Sequence, residues 1–403
     1  MRQISVIQPG ARLHYAVPEI FARAGLLKRL YTDLHAEHRW LRALDLAIPS
    51  RLKPKQMRRL FGRRLPRGLP ASLVDDLALE TLLRLVADRF GIEAWGSGGL
   101  ATRMLSRLEA SALGEDDAVY TVLVNEDLSA MRALKQRGAR IIHECMIGPD
   151  VGLWVREERQ TFKGIEEEDG LDSIEAGRAL DKEKYVLADL ILAPSEFARA
   201  SVAALVDDPR KIRTVPYGLQ TGNYASDVAE PVLGQVLFVG SVGLRKGSHY
   251  LAAAARLLQR RNASITVRVV GPVADTLARH KAFAGPVYVG QVPRSELSAE
   301  YARADVFVLP TVCDSFALVH LEAMAAGIPV ITTPNCGSVV RDGVDGFIVP
   351  IRDAQAIADR VEQIVSDRNL RAEMSANAKA RAQEFSLSRY GERLLDAVKE
   401  IVQ

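Results

Sequence analysis

The chain has 403 residues, of which 48% are apolar and 26% charged, and its Lys and Arg residues outnumber its Asp and Glu residues by three. The length suits two domains of about 200 residues each, the composition excludes a disordered chain, and the charge balance argues against nucleic-acid binding through net charge. The cysteines, Cys145, Cys313 and Cys336, are far apart and in no C-x-x-C spacing, which argues against a disulfide framework or a zinc site. No apolar run reaches about 18 residues, and the apolar stretch at the N-terminus is too short for a signal peptide. We therefore expect a cytoplasmic protein without a membrane span.

The first half of the chain predicts an α/β domain. A buried strand from Ile4 to Gln8 breaks at Pro9 and Gly10, and helix-like periodicity follows from about residue 15 to residue 24. Further apolar segments alternate with helical stretches, which is typical of a parallel sheet covered on both faces. These segments are Ala118–Val124, Ala139–His143, Leu190–Ala193 and Ile212–Val215.

Two stretches of the first half carry unusual charge. Residues 51–68 contain eight Lys or Arg residues, no acid, and apolar residues between the charges. Such a segment can bind anionic lipid headgroups, although a solvated helix face is the alternative. The acidic run from Glu166 to Asp169 predicts a solvated loop.

A polar, glycine-containing stretch from Gly218 to about Pro231 predicts a domain boundary. Six apolar segments then alternate with helix-like segments and predict a second doubly wound sheet. The predicted strands are Val236–Val239, Thr266–Val270, Val287–Val289, Val306–Leu309, Val330–Thr332 and Phe347–Val349. The predicted units are an N-terminal Rossmann-like domain of residues 1–217, a C-terminal one of residues 218–385, and a helix of residues 386–403 that packs back on the N-terminal domain.

One candidate site follows the strand that ends at Leu309. In a doubly wound sheet ligands bind beyond the carboxyl ends of the strands, where the loop of residues 311–316 lies. A helix starting near Phe316 would present its free N–H groups to a diphosphate. Asp314 and Glu322 bracket this start, and Glu322 could accept hydrogen bonds from ribose hydroxyls. The alternative is that Asp314 caps the helix and Glu322 is a paired surface acid.

A second candidate site is the glycine-containing turn after Val239. Gly240 and its neighbouring glycines let the backbone approach a phosphate, and Arg245 and Lys246 supply positive charge. The spacing matches neither G-x-G-x-x-G nor G-x-x-x-x-G-K-[ST], so it indicates neither a dinucleotide fingerprint nor a P-loop. A strand, a turn and a helix with basic residues also occur without any phosphate site.

Together these segments resemble the retaining family 4 glycosyltransferases, from Val236 to about Phe385. Members of that family carry two acids separated by seven residues and an E-A-M-A-x-G-x-P-V run, and this chain has Asp314, Glu322 and the run Glu322–Val330. The resemblance implies the GT-B fold, in which two Rossmann-like doubly wound α/β domains face each other across a cleft. It also implies a transferase that moves a sugar from a nucleotide diphosphate sugar, UDP- or GDP-linked, without a metal or other cofactor.

The resemblance further implies roles for individual residues. Lys246 and a nearby arginine would neutralise the diphosphate, Glu322 would hold the ribose, and Asp314 would contact hydroxyls of the transferred sugar. The arginine that the family has directly after Gly240 is Ser241 here, and we expect Arg245 to replace its charge. The predicted donor-binding residues are Gly10, Gly240, Val292, Pro293, Ser315, Phe316, Ala317, Leu318 and Glu322. The predicted catalytic residues are Asp314, Lys246, Arg245 and His143.

The histidine that the family places near the reaction centre aligns poorly. His143 lies at the end of a predicted strand and is our candidate, with Met146 or Gly148 in other registers and His14 as an alternative. His143 as a structural histidine also stays open.

The predicted function is therefore transfer of a hexose-type sugar to a glycan or lipid-linked hydroxyl acceptor in polysaccharide or glycolipid synthesis. The protein would lie in the cytoplasm, with residues 51–68 as a peripheral contact to the membrane face, and would bind no nucleic acid. The alternatives are a catalytically silent nucleotide-sugar-binding protein and a phosphorylase or epimerase on the same fold.

Overall fold

A computed structural model of the chain describes residues 2–49, 53, 57, 60–89, 100–111, 113, 115, 117–123, 128–224, 231–261 and 264–403. The strands of its first sheet are β1 (Gln3–Ile7), β2 (Leu27–Thr32), β3 (Val74–Asp76), β4 (Asp117–Thr121), β5 (Arg140–Glu144), β6 (Leu190–Ala193) and β7 (Ile212–Thr214). They are parallel and lie in the order β3-β2-β1-β4-β5-β6-β7. The helices between them are α1 (Ala16–Arg23), α2 (Arg39–Ala47), α3 (Ala78–Arg89), α4 (Leu100–Ala110), α5 (Leu128–Gln136), α6 (Val151–Thr161), α7 (Leu171–Leu187) and α8 (Glu196–Ala203).

The second sheet repeats this arrangement with β8 (Gln235–Val239), β9 (Thr266–Val270), β10 (Val287–Gly290), β11 (Val306–Leu309), β12 (Val330–Thr332) and β13 (Gly346–Ile348). These strands are also parallel, in the order β10-β9-β8-β11-β12-β13. Its helices are α9 (Ser248–Arg261), α10 (Asp275–Ala278), α11 (Arg294–Ala302), α12 (Leu318–Ala325), α13 (Ala354–Ser366) and α14 (Arg368–Glu384), and α15 (Leu387–Val402) ends the chain. In each sheet the strand order reverses beside the first strand, which is where doubly wound folds bind ligands.

The two faces of the N-terminal sheet have separate cores because alternate strand residues point to opposite sides. Ile4 and Val6 pack on the face that α15 covers with Tyr390, whereas Ile7 and Val119 belong to the core of the other face. The helix α15 therefore packs on the N-terminal domain. The Arg2 amide donates a hydrogen bond to the carbonyl oxygen of Val402, the last residue of this helix, at 2.8 Å.

Helix α6 and the loop after it reach from the N-terminal domain to the C-terminal one. The fully buried carboxylate of Glu158 accepts hydrogen bonds from Tyr250 at 2.5 Å and Arg352 at 2.7 Å. Glu166 accepts the Leu244 amide at 2.7 Å, beside the basic turn. The prediction of a solvated acidic loop was wrong for Glu166, because long-range packing gives this carboxylate a backbone partner.

The basic segment of residues 51–68 is only partly inside the described residues, since 51, 52, 54–56, 58 and 59 lie outside them. Leu60 and Phe61 of this segment are buried and pack in a small core with Leu34 and Leu41. These two apolar side chains therefore face the protein interior instead of a lipid surface. No helix in the described part of the chain is long and apolar enough to cross a bilayer.

Candidate functional site

The basic turn after β8 and the loop after β11 meet at the carboxyl edge of the C-terminal sheet. Asp314 pairs with Lys246 and, at 3.3 Å, with Nη1 of Arg245. The side chains of Lys246 and Asp314 are mostly buried, whereas that of Arg245 is 43% exposed. Two cations thus share one carboxylate, which leaves one positive charge in excess at the place where sequence reasoning expected a diphosphate.

Gly247 brings these two segments together. Its φ is 65°, and a Cβ built on it would lie 1.9 Å from the carbonyl oxygen of Pro310. A side chain is excluded both by this contact and by the left-handed backbone conformation. The Val312 amide donates to the Arg245 carbonyl at 3.0 Å, which fixes the register of the two loops.

Helix α12 starts two residues later than predicted, at Leu318, with Ala317 as its first flanking residue. Ser315 and Phe316 instead hold the two domains together. The Gly148 amide donates to the hydroxyl of Ser315 at 2.8 Å, and the Ser195 hydroxyl donates to the Ser315 carbonyl at 2.6 Å. Ser315 is buried, so it shapes the seam beside the helix start.

Phe316 connects this helix start to the turn that follows β1. Its ring packs edge-on against Tyr217 at 5.2 Å between centroids, and the guanidinium of Arg12 lies 4.9 Å from the centre of the Tyr217 ring. Arg12 follows Gly10 by two residues. The predicted glycine turn of the first domain therefore lies close to the predicted anion-binding helix of the second. The rings of Tyr217 and Phe316 lie between them.

Glu322 lies in the second turn of α12 and holds two phenols. Tyr224 donates to its Oε1 at 2.8 Å and Tyr301 to its Oε2 at 2.7 Å. Burial, and then the charge of Glu322, raise the pKa of Tyr224 to about 12. Each carboxylate oxygen keeps a second lone pair, so Glu322 is oriented by the protein and can still accept hydrogen bonds from a diol.

Val292 and Pro293 precede α11, and the first residue of that helix crosses the cleft. Arg294 Nη1 lies 2.7 Å from Nε2 of His14 in the first domain. Because an arginine only donates, Nε2 of His14 must accept here, and His14 is neutral in this contact. Burial and the charge of Arg294 both lower the pKa of His14.

His14 lies in a strained turn. Leu13, His14 and Tyr15 have φ of 46°, 54° and 60°, and each left-handed residue other than glycine costs about 1–2 kcal/mol. Gly10, with φ of 69°, donates its amide to Asp33 Oδ1 at 2.8 Å. Strain of this kind is concentrated at functional sites, and here it lies where the resemblance places the contact with the transferred sugar.

The structure does not bring His143 together with the other predicted site residues. Its ring is buried in the N-terminal domain, 5.7 Å from that of Tyr185. Burial, and then the charge of Lys184, lower the pKa of His143 to about 3. On the loop after β5 it is Gly148 that contacts the C-terminal domain, and His14 lies against Arg294 of that domain. The sequence signal for His14 was its proximity to Gly10.

One further cluster of polar side chains was not predicted from the sequence. His35, His38 and Asp76 place atoms of metal-ligating types within 4.8 Å of one another at the ends of β2 and β3. The two rings are stacked at 4.4 Å, and Nδ1 of His35 accepts the Glu37 amide at 3.2 Å. Because Nδ1 accepts, a neutral His35 carries its proton on Nε2, which lies 3.4 Å from Asp76 Oδ2. The arrangement is that of histidines hydrogen-bonded to one carboxylate, and we assign no metal to it.

Comparison with known proteins places these residues in a family context. Residues 233–381 match the family described as "Glycosyl transferases group 1". An uncharacterized glycosyltransferase of Methanocaldococcus jannaschii is 35% identical over 155 residues, which are 36% of this chain and 39% of that protein. The D-inositol 3-phosphate glycosyltransferase of Corynebacterium urealyticum is 32% identical over 197 residues, 45% of this chain and 46% of that protein. The chain therefore spans less than half the length of these two relatives.

The likeness to solved structures runs through both domains. The crystal structure of Anabaena HepE in complex with UDP matches with a TM-score of 0.64 at 15% identity, covering 99% of this chain and 100% of that one. The sucrose-phosphate synthase of Thermosynechococcus elongatus matches with a TM-score of 0.62 at 17% identity, covering 100% of this chain and 99% of that one. The predicted GT-B fold is thereby confirmed.

Proposed function

Since residues 233–381 belong to the glycosyl transferases group 1 family, we propose that the chain is a retaining glycosyltransferase. It moves a hexose-type sugar from a nucleotide diphosphate sugar, UDP- or GDP-linked, to a hydroxyl acceptor. The observation that carries this proposal is the cationic pair Arg245 and Lys246, held on Asp314 beside the start of α12. Glu322 in the same helix is the second anchor.

The proposed chemistry is stabilisation of the leaving group. When the bond from the anomeric carbon to the diphosphate loosens, negative charge develops on the phosphate oxygens. Lys246, Arg245 and the amides at the start of α12 are preorganised donors for that charge, and such donors need no reorganisation during the reaction. Asp314 keeps the two cations in place and is the residue proposed to contact the hydroxyls of the transferred sugar.

The nucleoside is proposed to lie between Glu322 and the segment of Val292 and Pro293. An oriented carboxylate suits the vicinal hydroxyls of a ribose because it accepts two hydrogen bonds in one plane. HepE, whose fold the chain shares, is described in complex with UDP, which supports testing uridine nucleotides first. The reaction is proposed to need no metal.

The acceptor is proposed to bind on the N-terminal domain and to be a glycan or a lipid-linked molecule. A relative is named for action on an inositol phosphate, which is a hydroxyl compound of the required kind. Contact with an anionic membrane face is proposed through the basic residues of 51–68, next to α2 with Trp40 44% and Leu46 87% exposed.

A ligand screen tests the proposal. UDP-, GDP- and ADP-sugars are added to the protein while its thermal midpoint is followed, because a ligand of the native state raises it. We expect one nucleotide class to raise the midpoint and its sugar to be released slowly to water with retained anomeric configuration, as read by NMR. Binding without any release would indicate a silent binding protein, and no binding in any class would refute the donor site.

A further inference from the structure

The basic segment of residues 51–68 contributes one arginine to the glycine turn of the N-terminal domain. Nη1 of Arg63 donates to Asp33 Oδ2 at 2.5 Å, and a methyl group built on Gly10 would lie 3.7 Å from Nη2 of Arg63. The Ala36 amide donates to the Arg63 carbonyl at 2.8 Å, which ties this backbone to the loop after β2. The guanidinium therefore lies against the turn at the carboxyl ends of β1 and β2, with 25% of its side chain exposed.

The pairing with Asp33 uses only Nη1 of the Arg63 guanidinium among the described residues. Oδ1 of Asp33 already accepts the amides of Gly10 and Leu34, both at 2.8 Å. Within the described residues Nε and Nη2 of Arg63 donate to no other side chain or carbonyl. A guanidinium held on one edge presents its other edge as a fork that fits phosphate or carboxylate.

The other arginine of this turn is differently placed. Arg12 is bonded to the buried carboxylate of Glu144 and to the hydroxyl of Tyr217. Removing Arg12 from these partners would leave a buried carboxylate without its cation, which is costly. Arg12 is therefore part of the domain structure, and its Nε, which has no hydrogen-bond partner among the described residues, is buried. The unused donors of Arg63 belong to a side chain that is 25% exposed.

We propose that Arg63 is an anion-binding residue of the acceptor site and takes a phosphate or carboxylate group of the acceptor. This inference rests on the proposed function, in which the C-terminal domain holds the donor and the N-terminal domain holds the acceptor. An oxyanion bound by Arg63 can belong to either of two molecules, the acceptor or the donor diphosphate. The acceptor is the source because the diphosphate already has Arg245 and Lys246 in the other domain.

The test uses inorganic phosphate as the probe and UDP to fill the donor site. Phosphate is titrated by calorimetry into the full-length protein saturated with UDP, with Arg63→Gln and with Arg67→Gln as the matched control. Arg67→Gln removes the same charge from the same segment at an exposed position. We expect phosphate affinity to fall about tenfold or more in Arg63→Gln, the loss of a charge-assisted pair, and by less than about twofold in Arg67→Gln. Arg63→Lys, which keeps the charge and the Asp33 pair, should bind phosphate with intermediate affinity and guards against a folding defect.

Two results would overturn the inference. Equal phosphate affinity in Arg63→Gln and Arg67→Gln would show that Arg63 binds no anion, and phosphate binding that UDP abolishes would assign the anion to the donor site. Failure of the proposed function gives a different outcome, because the protein would then bind none of the UDP, GDP or ADP nucleotides, while the dependence of phosphate binding on Arg63 stayed measurable.

Discussion

Replacing Lys246 by alanine should abolish most of the turnover while the protein stays folded. The site holds two cations against one carboxylate, so the substitution lowers its net charge from plus one to zero. The leaving diphosphate loses one preorganised charged donor, and loss of a comparable donor costs about 10²–10³-fold in kcat, or about 2.7–4 kcal/mol. Asp314 keeps Arg245 as a partner, so the thermal midpoint should fall by less than about 4 °C, the shift for about 1 kcal/mol in a domain of this size.

The assay is release of nucleotide diphosphate under saturating donor, with circular dichroism and thermal unfolding on the same preparation. Asp314→Asn is the companion variant, because it removes the carboxylate that competes with the diphosphate for both cations. UDP should bind to Asp314→Asn at least as tightly as to the wild type, while turnover falls. A folded Lys246→Ala protein with kcat within about threefold of the wild type would refute the assignment of Lys246 to the leaving group.

Three further predictions follow from single residues. Glu322→Gln should weaken UDP binding by about 10–100-fold, the range for a charge-assisted hydrogen bond, and calorimetry with 2′-deoxy-UDP should show little further loss in this variant if Glu322 binds the ribose. Gly247→Ala should lower stability and activity far more than Gly164→Ala, because both have positive φ but only the first places a Cβ 1.9 Å from the Pro310 carbonyl oxygen; equal thermal midpoints would contradict this. Burial alone would raise the pKa of Glu158, but hydrogen bonds from its partners in the other domain outweigh it and lower the pKa. The Glu158 carboxylate therefore contributes its full stabilisation above pH 4.5, the ordinary pKa of a glutamate, and loses it as the pH falls through the lowered pKa of the folded protein. The thermal midpoint of Glu158→Gln should consequently fall less on acidification than that of the wild type.

The strands could be predicted where hydrophobic runs were long and bounded by turns. Thr266–Val270 and Val306–Leu309 have the same bounds in the sequence and in the structure. The strands Leu27–Thr32 and Val74–Asp76 were missed. The first contains Lys28 and Arg29 and the second is two-thirds acidic, so they lack the apolar pattern of a buried strand, and pairing with β1 and with each other makes them strands.

The proposed donor half of the candidate site could be predicted from the sequence because its residues lie within short motifs. Arg245 and Lys246 are adjacent, and Asp314 and Glu322 are fixed by one loop and one helix. The residues that contact these motifs from elsewhere in the chain could not be predicted. Glu166 reaches the basic turn from 78 residues away, and a sequence pattern carries no signal for such a contact.

The proposed acceptor half of the site depends even more on tertiary structure. Asp33 and Arg63 come from two separate segments that meet at Gly10, and His14 follows Gly10 in the same turn. None of the three has a motif of its own. His143 looked suitable because it ends a strand, but the ring turns into the core. Which side of a strand end faces a cleft depends on how the domains pack, and that information is not local.

The most direct measurement is a crystal structure of the protein with UDP. We expect pyrophosphate oxygens within about 3 Å of Lys246 Nζ and of the Arg245 guanidinium, the usual length of a charge-assisted hydrogen bond, with the ribose hydroxyls on Glu322. A nucleotide bound away from the carboxyl edge of the C-terminal sheet, or with its phosphates out of reach of Lys246, would contradict it.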